Sequence, residues 1–212
     1  LTPGSTVRYR VKAIDAFGNE APSDWVTVTV GGGTSSAYAP AVLDDRPLNY
    51  WRLGESAGAA VNSASYDNLT VNGSVTRSQT GAVPGDADTA IRFNGNSTQY
   101  AATATSRLGR HTFTVEAWVR TNSNSGGKII GFGNRTTGNS TSYDRHLYIG
   151  NDGRVRFGVA PVGGTRIVTS PNSLVDNAWH HVVGTLGDGV MTLYVDGQQV
   201  GQLTGVRMAA NY

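Results

Sequence analysis

The chain has 212 residues, of which 28 are Gly and none is Cys, and only 15% are charged. No run reaches the roughly 18 apolar residues a membrane-spanning helix needs, and the glycines follow no three-residue period, which excludes a transmembrane helix and a collagen-like rod. Without Cys there is no disulfide framework or thiolate metal site, and 17 basic residues scattered among 15 acidic ones form no stripe for nucleic acid.

No helical period is sustained, whereas two-residue alternation recurs along the chain. Val7, Tyr9, Val11 and Ala13 alternate with Arg8, Arg10 and Lys12, the pattern of a half-buried strand. Gly18-Asn19 supplies turn chemistry, and residues 25–30 read as a second strand rich in β-branched side chains. Gly31-Gly32-Gly33-Thr34-Ser35-Ser36 has nothing to bury and reads as a flexible linker, so the chain divides into 1–30, 31–36 and 37–212. A helical turn is expected over 38–43, before Pro47. Strands are expected at 48–53, 90–93, 112–120, 128–132, 146–149, 155–159, 165–169, 180–186, 191–195 and 199–204. Asn94-Gly95, Asn151-Asp152-Gly153, Asp188-Gly189 and Asp196-Gly197 mark turns between them. Residues 54–89 and 121–124 are the expected long loops. Many short strands without a long helix predict an all-β fold, an antiparallel sandwich or jelly roll.

Residues 1–30 resemble the end of a fibronectin type III module. The match lies in Leu1-x-Pro3-Gly4, Arg10-Val11-Lys12-Ala13, Asp15 and Gly18-Asn19-Glu20, with Val7 where that family places a corner tyrosine. The resemblance implies that most of such a β-sandwich, which has about 100 residues, lies upstream. Residues 37–204 resemble the laminin G-like, concanavalin A-like jelly roll of many secreted bacterial proteins. The segments that match, in order, are 50–55 (YWRLGE), 90–95 (AIRFNG), 113–119 (FTVEAWV), 152–155 (DGRV), 179–183 (WHHVV) and 193–197 (LYVDG). That family continues with further strands, so the jelly roll is expected to be truncated at its C-terminal end.

The same jelly roll carries glycoside hydrolases that need two carboxyls about 5–5.5 Å apart on one strand face. Glu20, Glu55 and Glu116 are the only glutamates, and none stands in the Glu-x-Asp-x-x-Glu pattern. Alternation turns Glu116 to solvent. His180 and His181 must point to opposite faces of a strand, one packed beside Trp179 and the other exposed. No G-x-S-x-G elbow is present. The resemblance implies a possible calcium site, for which Asp86 and Asp88 offer paired carboxylates and Asp67-Asn68 and Asp44-Asp45 further oxygens. For a sugar, the polar loop 133–145 and its end, Tyr143-Asp144-Arg145-His146, offer a stacking ring and hydrogen-bonding groups. Trp51, Trp118 and Trp179 are expected in the core.

The resemblance implies a non-catalytic module of a secreted, extracellular bacterial protein that binds a glycan or cell-surface ligand. It would hold neighbouring domains of the same polypeptide against a polymer by raising their effective concentration. Two alternatives stay open: a protein-interaction or adhesion module without sugar specificity, and an accessory part of a glycoside hydrolase or protease whose catalytic domain lies elsewhere in the parent chain.

Overall fold

Alternating apolar and polar residues in the second half of the chain build two four-stranded antiparallel sheets. The computed structural model describes residues 6–9, 12–14, 20–22, 26–29, 36–161 and 163–207. Four short strands come first: β1 (Thr6–Tyr9), β2 (Lys12–Ile14), β3 (Glu20–Pro22) and β4 (Val26–Thr29). β1 runs antiparallel to β4, and β2 to β3. The Leu1-x-Pro3-Gly4 corner, the Gly18-Asn19 turn and residues 31–35 of the linker lie outside the described residues.

Helix α1 (Tyr38–Asp44) follows, then β5 (Leu69–Asn72), β6 (Thr76–Thr80), β7 (Thr89–Arg92) and β8 (Tyr100–Thr103). β5 pairs with β8, and β6 with β7. The sandwich comprises β9 (Phe113–Val119), β10 (Gly127–Gly133), β11 (Tyr143–Ile149), β12 (Arg154–Val159), β13 (Arg166–Ser173), β14 (His180–Gly187), β15 (Val190–Val195) and β16 (Gln198–Leu203). One sheet has the order β10-β11-β12-β13 and the other β16-β15-β14-β9. Leu147, Ile149, Val155, Phe157, Val159 and Val168 of the first sheet bury their side chains against Val115, Val182, Leu186, Met191, Leu193 and Val195 of the second. Burial alternates along β14, where Val182, Gly184 and Leu186 are buried, as the two-residue side-chain period requires. The β14–β15 hairpin closes through Asp188 and Gly189, with φ of 50° and 75°. Two successive positive φ angles match the right-handed strand twist and favour this Asp-Gly pair.

Three expectations are corrected. Residues 48–53 form no strand, and only Trp51 makes an isolated bridge, to Asn62. The buried Asn62 carboxamide takes over the local backbone. Its Oδ1 accepts the N–H groups of Tyr50, Ala64 and Ser65 at 3.0, 2.9 and 3.1 Å, and its Nδ2 donates to Asn49 Oδ1 at 2.7 Å. Side-chain acceptors of this kind compete with a strand ladder for the same donors. Residues 54–89 are not one long loop, since they contain β5 and β6. Among the described residues no tryptophan joins the buried core cluster, and Trp118 is 36% exposed. It lies two residues from Glu116 on β9 and therefore shares its outward face.

Candidate functional site

The outward face of the β10–β13 sheet forms a groove of about 510 Å³. Register assembles it. Lys128 stands opposite Tyr148, His146 opposite Gly158, and Gly158 opposite Ile167. Gly158 has no side chain to fill the space between its neighbours and so forms the floor. Tyr143, His146 and Tyr148 line the groove with rings; Ile167 and Thr165 line it from β13 and the residue before it. The His146 ring lies 5.1 Å from that of Tyr143 and 6.3 Å from that of Tyr148. A Cβ at Gly131 would overlap the His146 imidazole, so this glycine of β10 lets the ring lie close to the strand. The result is a concave, mostly apolar surface with an ammonium and hydroxyls at its margin, the usual chemistry of a small-ligand site.

Burial, reinforced by the charge of Lys128, pushes His146 down to about 4, so its ring is neutral at physiological pH. Lys128 is exposed as a residue, yet desolvation by burial lowers its pKa too. Burial raises Tyr148, while Arg156 pulls it the other way.

Of the four residues expected to meet a sugar, Tyr143, Asp144 and His146 line the groove, although Asp144 and Arg145 are only 1% and 0% exposed. Tyr143 and its neighbours begin β11 instead of ending a loop. The β10–β11 register shifts between Ile130 and Phe132, and Arg145 has φ 49°, so two consecutive side chains turn inward. Asp144 Oδ1 accepts the N–H groups of Arg145 and Ala160, both at 2.8 Å, and its Oδ2 takes the Arg145 guanidinium. Arg145 Nε donates to Arg110 O at 3.1 Å, and the guanidinium lies 5.4 Å from the Phe113 ring centroid and 5.8 Å from that of Phe132. These two residues form a buried prop beneath the groove, with Asp144 part of its lining.

Asp86 and Asp88 come together, but around an arginine. Arg52 Nη2 is 3.8 Å from Asp86 Oδ1, and Arg52 Nε donates to Asp88 Oδ2. The Asp88 N–H, bonded to Asp86 Oδ1 at 2.9 Å, heads the causes that hold Asp86 below the usual carboxylate range. Among the described residues no three His, Asp or Glu side chains converge as a metal site. Calcium wants six to eight oxygens, so two carboxylates that already face one guanidinium fall short of it. Of the further oxygens, Asp67 pairs with Arg107 at 2.5 Å.

On the opposite sheet, Trp118 and His181 stack with centroids 5.0 Å apart, and Trp118 Nε1 donates to the Tyr38 hydroxyl at 2.9 Å. His180 does point the other way, but its partners are Asp196 and Asp176, while Trp179 lies against Arg120 at 5.2 Å. A shallower hollow of about 360 Å³ lies between Thr112–Thr114 and Thr185–Asp188, with Phe113 its only ring. Lys128, Tyr148, Gly158 and Ile167 escaped the sequence reading of the site. The available signals were a glycine inside a strand and, at Lys128, the only lysine after the linker.

A family model described as the concanavalin A-like lectin/glucanases superfamily matches residues 94–211, which include all eight sandwich strands and the groove. Domains LG4-5 of the mouse laminin alpha1 chain are 27% identical with a TM-score of 0.40, over 48% of this chain and 26% of that one. The chain thus spans about a quarter of the laminin fragment's length. An S-layer domain-containing protein from Clostridium thermocellum is 23% identical with a TM-score of 0.40, over 76% of this chain and 73% of that one. No curated protein matches the chain in sequence.

Proposed function

Since the chain belongs to the concanavalin A-like lectin/glucanases superfamily, we propose that its jelly roll is a non-catalytic binding module that holds a glycan in the groove of the β10–β13 sheet. One observation carries this reading: three rings, Tyr143, His146 and Tyr148, beside a glycine floor in a space of about 510 Å³. Aromatic faces offer a pyranose a surface for its C–H patches, and the hydroxyls of Tyr148 and Thr165 and the Lys128 ammonium meet its rim. Hydrolysis would need two carboxyls across the bond. Asp144 is the one acidic residue lining the groove, and Arg145 and two backbone donors engage it. Glu116 stands on the other sheet, 3.8 Å from His181.

Single-site affinity in such a groove is modest, and tethering to neighbouring domains raises it through effective concentration. The setting we propose is a secreted protein that keeps its other domains near a surface polymer. Among the described residues no helix is long and apolar enough to cross a membrane.

A glycan array, followed by calorimetry on the best hit with Gly158→Ala and Gly158→Leu, tests the reading. A Cβ at Gly158 would meet Tyr148 Cε1 at 3.6 Å and Ile167 Cγ1 at 3.7 Å, which is ordinary contact. Alanine should therefore bind nearly as the native chain does, and leucine should fill the groove and abolish binding with the melting temperature little changed. Undiminished binding by the leucine variant would place the ligand elsewhere. An array without hits, together with a protein partner competed away by the leucine substitution, would favour the adhesion reading, for which Ile167, 45% exposed, is the supporting feature.

A further inference from the structure

The charges around the groove are unevenly answered. Asp144 is spent on Arg145 and two backbone N–H groups. Arg156, at the far side of Tyr148, is held bidentately by Asp152 at 2.9 and 2.7 Å. His146 is neutral at physiological pH. That leaves Lys128, which lines the groove and makes no ion pair with a carboxylate among the described residues. The aromatic and aliphatic residues that line the groove with it solvate a charge poorly.

From this juxtaposition, and resting on the glycan reading above, we propose that the groove selects sugars carrying a carboxylate, the acid group bonding to the Lys128 ammonium while the pyranose ring lies against Tyr148 and His146. A carboxylate restores to the ammonium the counter-charge that the fold does not supply, and low-dielectric walls strengthen the pair. The reduced basicity of Lys128 is what an unanswered ammonium in such a place should show, and an anionic ligand should reverse it. Linkage makes the two effects reciprocal: a ligand that prefers charged Lys128 must raise its pKa.

Methyl β-glucuronide and methyl β-glucoside, which differ only at C6, are the probes. Lys12 and Lys128 are the only lysines in the chain, so the lysine Hε–Cε region of an NMR spectrum reports Lys128 with Lys12 as internal reference. The glucuronide should bind at least five-fold more tightly than the glucoside and move the Lys128 titration to higher pH while leaving Lys12 unmoved. Lys128→Gln should bring the two affinities within two-fold of each other, and Lys128→Arg, which keeps the charge, should retain the preference. Equal affinities in the native chain, with shifts at Tyr148 and His146, would overturn the acidic preference and leave the glycan reading intact. A preference that survives Lys128→Gln would overturn the assignment to Lys128. Failure of both probes, and of every arrayed glycan, to shift any groove residue would overturn the glycan reading along with it.

Discussion

Asp144→Asn is the sharpest probe of the prop beneath the groove. It keeps the volume of the side chain and an acceptor for the backbone N–H groups of Arg145 and Ala160, but removes the charge that faces the guanidinium. Arg145 is fully buried, so its guanidinium is shielded from water in the native fold. Removing one partner of a buried ion pair costs about 3–5 kcal/mol, because a buried charge loses its counter-charge. For a domain of this size each kcal/mol lowers the melting temperature by roughly 2–4 °C, so the variant should melt roughly 6–20 °C below the native chain. The double change Asp144→Leu with Arg145→Met removes both charges and should lose less than Asp144→Asn alone. Urea titrations by circular dichroism, with thermal melts, measure both. A single variant within about 1 kcal/mol of the native chain, below the range for a broken buried pair, would refute the reasoning, as would a double variant worse than the single.

Gly184 of β14 faces Phe157, and a Cβ there would come within 2.5–2.8 Å of that wholly buried ring. Phe157 is also edge-on to Phe113 at 5.9 Å, so Gly184→Ala should cost about 1–3 kcal/mol by overpacking, seen as a lower urea midpoint. At His180 burial pulls the pKa down, but the bonds to Asp196 at 2.7 Å and Asp176 at 3.2 Å outweigh it and the folded value is raised. Its contribution is therefore complete below the unfolded value of about 6.5 and lost as pH rises through the folded one. Melts from pH 6 to 9 should fall in the native chain, and His180→Asn should flatten that slope. His146 acts in the opposite sense. Its folded value of about 4 means stability is lost as pH falls from about 6.5 toward 4, and His146→Phe should flatten that acid limb.

The sandwich was legible because burial imposes a period of two. All eight of its strands overlap segments expected to be strands from the sequence, and the Asp188-Gly189 hairpin follows from residues that tolerate positive φ. β5, β6 and β8 were not legible, because they are short and their side chains are only half-buried or exposed. Residues 48–53 misled for a different reason: their apolar content resembles a strand, but Asn62, distant in sequence, supplies the acceptor for the Tyr50 N–H. The alternation that turned Glu116 outward also determines the side of Trp118, so that error lay in letting residue type outweigh register. At the site, Tyr143, Asp144 and His146 line the groove, but the burial of Asp144 and Arg145 follows from a register shift that no sequence period announces. The groove itself depends on cross-strand pairs, Lys128 with Tyr148 and Gly158 with both His146 and Ile167, that link residues up to 20 positions apart.

The central claim is that ligand sits on the outward face of the β10–β13 sheet. Titrating the 15N-labelled chain with the best glycan of the array measures this residue by residue through amide shifts. Saturable shifts should centre on Lys128, His146, Tyr148, Gly158 and Ile167, with Glu116, Trp118 and His181 on the opposite sheet unmoved. Shifts centred on Trp118 and His181 instead would contradict it.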